Sequence, residues 1–152
     1  MIGPRWQAVN GDVRVPAQEA EWWGATLAVL VAVIHHPGVL AARQPETDPA
    51  GVAREALAAV DELERAAERA ARQAPGGGAG ASLRTALVRA EGDEVVFSPG
   101  AEVADLAFCV TVFATAVLQP ESHEASIAGG ATAYAASAWS SNIGRASGAL
   151  SR

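Results

Sequence analysis

"VNGDVRVPAQE", from Val9 to Glu19, decides how the whole chain is read, because "AEGDEVVFSPGAE", from Ala90 to Glu102, says something close to it much later. In the first stretch WQAV and DVRV are β-prone runs on either side of Asn10 and Gly11, a pair suited to a tight hairpin turn because both residues tolerate positive φ. In the second, RTALVRA and EVVF flank Glu91, Gly92 and Asp93, again a glycine-containing turn. Gly11 and Asp12 match Gly92 and Asp93 at an offset of 81 residues.

After each hairpin come a proline, a glutamate three residues later, and a long apolar stretch closed by another proline. Pro16, Glu19 and Pro37 stand against Pro99, Glu102 and Pro120, now at an offset of 83, with the prolines of each pair 21 positions apart. Proline is tolerated in a first helical turn and disrupts a helix interior, so each pair brackets one helix with a glutamate near its positive end. Helices are predicted over Gln18 to His35 and Gly100 to Leu118, in contact with each other. The fold class that follows is a helix-rich α+β single domain over residues 1–152. It consists of two internal repeats of β-hairpin, apolar core helix and second helix, related by a pseudo-two-fold axis. Repeat 1 covers about residues 1–74 and repeat 2 about 82–152, joined by the glycine-rich linker 75–81, "PGGGAGA".

The bracketed helices are apolar nearly all round, which places them inside a protein or inside a bilayer. Trp22 to Ile34 is shorter than the roughly 20 apolar residues a bilayer span needs, and Val103 to Leu118 carries Asp105, Thr111 and Thr115, so buried core helices are expected and no membrane span. For the second helix of repeat 1, Asp48 and Pro49 suggest a cap and first turn. Val52, Ala56, Val60, Leu63, Ala67 and Ala70 then form its apolar stripe. On its other face Asp61 and Arg65, and Glu68 and Arg72, have the i,i+4 spacing of surface ion pairs. At the far end Ile127, Ala131, Tyr134 and Ala138 can share a helical face, interrupted by Gly129 and Gly130. Past Asn142 a frayed or bound tail is expected.

Composition narrows the function classes. The net charge of −6 and pI near 5.0 argue against nucleic acid as a partner, since that affinity depends on neutralising phosphates. GDVRVP, Gly11 to Pro16, resembles the glycine, alternating-strand, proline signature of swapped-hairpin AbrB-type DNA-binding domains. The likeness spans these six residues, and the second copy departs from it at GDEVVFSP, so no activity is carried over. All eleven basic residues are arginine, which with the abundant alanine and glycine points to a GC-rich bacterial genome. The single cysteine, Cys109, leaves no intramolecular disulfide and reads as an inert buried thiol. The opening residues lack the pattern of a signal peptide, which makes the cytoplasm the default location.

No motif identifies a catalytic residue or a cofactor, and none is expected. His35, His36 and His123 fall at corresponding helix ends, where imidazoles with Glu121 or Glu124 could ligate zinc. A histidine there also suits the helix dipole, so no metal is expected. The leading expectation is a non-catalytic interaction or assembly protein, a homo-oligomer or a subunit of a bacterial complex, with Ile127, Tyr134 and Trp139 as its interface. The alternative is a small enzyme or binding protein with an apolar ligand cavity between the two core helices, lined by Trp22, Trp23, Asp105 and Tyr134, where Asp105 could carry a raised pKa.

Overall fold

The computed structural model describes residues 5–73, 87–130 and 132–150. The chain is a helix-rich α+β protein. Strands β1 (Gln7–Val9) and β2 (Asp12–Pro16) lead into α1 (Ala17–His35), the short α2 (Pro37–Arg43) and α3 (Pro49–Gln73). Strands β3 (Leu87–Glu91) and β4 (Glu94–Ser98) then lead through a 3₁₀ turn (Gly100–Glu102) into α4 (Val103–Leu118), α5 (His123–Ala128) and α6 (Thr132–Leu150). The linker expected at 75–81 lies outside the described residues.

Both hairpin turns form where the glycines stand. Asn10 at φ 54° and Gly11 at φ 86° close β1 onto β2, with Val9 opposite Asp12. Gly92 at φ 66° closes β3 onto β4, with Glu91 opposite Glu94. The hairpins join through β2 and β4, giving one antiparallel sheet in the order β1-β2-β4-β3, with Val13 opposite Phe97, Arg14 opposite Val96 and Val15 opposite Val95. Each proline hands the chain to the other hairpin. Ala17 N–H, after Pro16, donates to Asp93 O at 3.3 Å, and Gly100 N–H, after Pro99, donates to Gly11 O at 2.8 Å.

Alternation along the strands puts Val13, Val15, Val95 and Phe97 on the helix-covered face. The other face carries charges: Arg14 donates to Glu91 at 2.7 Å, and Arg89 lies 3.2 Å from Glu91 and 3.8 Å from Asp12. Val96 belongs to this charged face and is nevertheless fully buried. The register sets Arg14 and Arg89 on either side of Val96 on the two neighbouring strands, a placement in which long side chains with apolar stems can shield it.

The two bracketed helices pack against each other as expected, and each has a second partner: α1 lies along α6, and α4 along α3. An aromatic chain ties sheet and helices together. Trp22 and Trp23 meet edge-on at 4.9 Å, Trp23 and Trp6 at 6.5 Å, Trp6 and Phe97 at 5.4 Å, and Phe97 and Trp139 at 5.9 Å. Trp6, Trp23, Phe97 and Trp139 are buried; Trp22 is the end that reaches the surface.

The last segment departs from its sequence reading at the two glycines. Gly129 and Gly130 end one helix before another starts, so Ile127 and Tyr134 belong to different helices and share no face. The buried stripe of α6 is Ala136, Trp139, Ile143, Ala146 and Ser147. Of the two outcomes expected past Asn142, the described residues take the bound one: Ile143 is fully buried against Gly24 of α1, and Ser140 Oγ donates to the Gly24 carbonyl at 3.0 Å. Gly24 permits this approach, since a Cβ there would stand 3.0 Å from Ile143 Cγ2.

Candidate functional site

A groove of about 770 Å³ lies between α3 and α4. Gly100 sits against Ala70, so the end of α3 lies beside the start of α4 and the two helices run in opposite directions along the groove. Its floor and walls are mostly alanine, Ala67 and Ala71 from α3 and Ala101, Ala104 and Ala107 on and just before α4, with Thr111 beside them. Phe108 stands in it with 54% of its surface exposed. Asp61, Glu64, Arg65 and Glu68 form the rim on the α3 side.

Three of these rim residues, Asp61, Arg65 and Glu68, belong to the i,i+4 pairs whose spacing predicts surface ion pairs. Neither Asp61–Arg65 nor Glu68–Arg72 closes within 4 Å among the described residues, and the carboxylates face the groove instead. Elsewhere on α3 two polar side chains serve the first hairpin. Arg69 Nη2 donates to Trp6 O at 2.8 Å; Gln73 Oε1 accepts from Gly11 N–H at 3.0 Å while its Nε2 donates to Ala8 O at 2.9 Å.

At the head of α4 two carboxyl groups meet. Partial burial, then a hydrogen bond to Asp105 and the charge of Asp105, push Glu102 up to about 7, so near neutrality Glu102 can hold a proton and donate it to its neighbour. The raised carboxyl at Glu102 was not singled out by the sequence. The only signal for it is the i,i+3 spacing of two acids in a first turn. Cys109, one helical turn further, is buried, and burial followed by the charge of Asp105 raises its thiol to about 11, which keeps it protonated and unreactive. Thr111 Oγ1 is used in a bond to Ala107 O at 2.9 Å.

The other candidate residues are spread over the molecule. Trp22 lines a second hollow of about 650 Å³ with Arg5, Pro16, Gln18, Glu19, Glu55 and Ala59; Trp23 is in the core, Asp105 heads α4, and Tyr134 is 84% exposed on α6. These four do not line either hollow together. Of the three expected interface residues, Trp139 is buried, Ile127 packs in part against the core, and Tyr134 is 84% exposed. His35 Nε2 lies 3.0 Å from Ala128 O and its ring 6.2 Å from Phe113, so this imidazole ties α1 to the end of α5. Among the described residues no three His, Cys, Asp or Glu side chains gather as a metal site would require.

Among the described residues one segment, Gly100–Leu118, is long and apolar enough to cross a membrane; half of it is buried against the rest of the chain. No protein-family model matches the chain, and no curated protein and no solved structure shows significant similarity to it.

Proposed function

We propose that the chain is a non-catalytic interaction or assembly protein, acting as a homo-oligomer or as a subunit of a larger complex. The observation behind this reading is the outward stripe of α4, where Phe108 is 54% exposed in an alanine-walled groove that the described residues leave open. A large exposed aromatic within a concave apolar surface is what a protein interface core needs. Photo-crosslinking tests it. Benzoylphenylalanine in place of Phe108 is expected to link the full-length protein to another polypeptide chain in its native cells, while the same probe at Glu46 does not. A protein that is monomeric by light scattering at every concentration, with no crosslinked species from Phe108, Trp22 or Val39, overturns the reading.

We also infer that the architecture arose by internal duplication. Supporting this are the central β2–β4 register, which is unchanged when the two hairpins are exchanged about the Arg14–Val96 pair, the reciprocal Ala17–Asp93 and Gly100–Gly11 bonds, and the matched packing of α1 on α6 and α4 on α3.

A further inference from the structure

Resting on the interaction reading, we propose that the groove between α3 and α4 receives one helix of a protein partner, with apolar side chains against Phe108 and lysine or arginine facing the rim. Shape is the first argument. The stretch of α3 along the groove, residues 61–71, is about 15 Å long at about 1.5 Å per residue, room for roughly three turns of a partner helix. Alanine walls let helix axes approach to the short end of the usual 8 to 10 Å range, and Phe108 supplies the one large anchor.

Charge selects the partner. The rim holds Asp61, Glu64 and Glu68 against Arg65 alone, and the chain as a whole carries −6. Two copies packed groove to groove would set these carboxylates against their own kind, which a self-complementary interface has to avoid. A helix with basic residues flanking an apolar stripe meets all three acids favourably. Its binding weakens with salt, because the rim is open to solvent.

Two fluorescent helical peptides of about four turns, with the same leucine stripe and either lysine or glutamate elsewhere, serve as probes in anisotropy titrations with the full chain. The lysine peptide is expected to bind at least about tenfold more tightly than the glutamate peptide, and Phe108→Ala to weaken it about five- to thirty-fold. Ala104→Trp, which fills the groove, should abolish binding. Glu64→Lys with Glu68→Lys should reverse the preference between the two peptides. Glu46→Lys with Glu124→Lys makes the same change in net charge away from the groove and should leave the affinity within about twofold. Equal binding of both peptides, an equal loss from the distant pair, or no effect of both Phe108→Ala and Ala104→Trp overturns the proposal, as does a dimer that Ala104→Trp converts to monomer, which would make the occupant a second copy. If crosslinking from Phe108 succeeds while the peptide preference fails, the interaction reading stands and this partner assignment falls.

Discussion

The chain contains two helix pairs built from similar parts, and they end differently. Along α1 and α6 the seam is closed: Gly24 lets Ile143 in, Ser140 binds the Gly24 carbonyl, and Ile143 is fully buried. Along α3 and α4 the outer side stays open, with Phe108 above a row of alanines and a rim of carboxylates. The helix heads differ as well. Glu19, three residues after Pro16, takes Arg5 at 2.7 Å, whereas Glu102, three residues after Pro99, takes the carboxyl of Asp105 and holds its proton up to about pH 7. One pair has been made into structure. The other keeps an apolar surface and an unneutralised acid pair, which a fold alone does not require.

The strongest way to break this comparison is to remove the closed seam. Ending the chain after Trp139 deletes Ser140, Ile143 and Ala146 together and should abolish cooperative thermal unfolding, measured by circular dichroism; a truncated protein with an unchanged transition would show that α6 is an appendage. Within the intact chain, Ile143→Ala should cost about 2 to 4 kcal/mol by denaturant unfolding, as expected for a large-to-small change at a fully buried site.

A smaller effect separates the helix heads. The Glu102 carboxyl is raised in the folded chain from about 4.5 to about 7. Between those values the folded state binds more protons than the unfolded state. The contribution of this group is therefore complete below about pH 4.5 and is lost as pH rises through about 7. Relative to Glu102→Gln, the wild-type chain should lose stability between about pH 5 and about pH 8, by under about 1 kcal/mol because the half-buried group is still screened by solvent. A parallel pH dependence of the two proteins would dissolve the contrast with Glu19. The smallest effect belongs to the open pair: Phe108→Ala should change the unfolding free energy by no more than about 0.5 kcal/mol, since its ring is half exposed. A loss near that of Ile143→Ala would make Phe108 a core residue and remove the groove as a surface.

Much of the scaffold was legible before any coordinates. Asn10, Gly11 and Gly92 mark turns through backbone freedom, and Pro16, Pro37, Pro99 and Pro120 bound helices by steric exclusion. Each acts within a few residues of itself, so local sequence suffices. Even the apolar stripe of α3 was readable in Val52, Ala56, Val60, Leu63, Ala67 and Ala70, all buried except Val52, which is partly covered. The candidate site was not legible, for the opposite reason. Asp61, Glu64 and Glu68 have the sequence pattern of any solvated helix face; they become a rim because α4 lies alongside and leaves Phe108 uncovered. The burial of Val96 depends on which arginines the strand register sets beside it. The raised carboxyl at Glu102 depends on Asp105 turning toward it, and the stripe of α6 depends on Gly24 admitting Ile143. Turn chemistry and helix bounds are properties of a segment, fixed by sterics over a handful of bonds. Which face is covered, which charge is answered and which aromatic is left to the surface are properties of neighbours far apart in the chain, and only the packed tertiary structure brings those neighbours together.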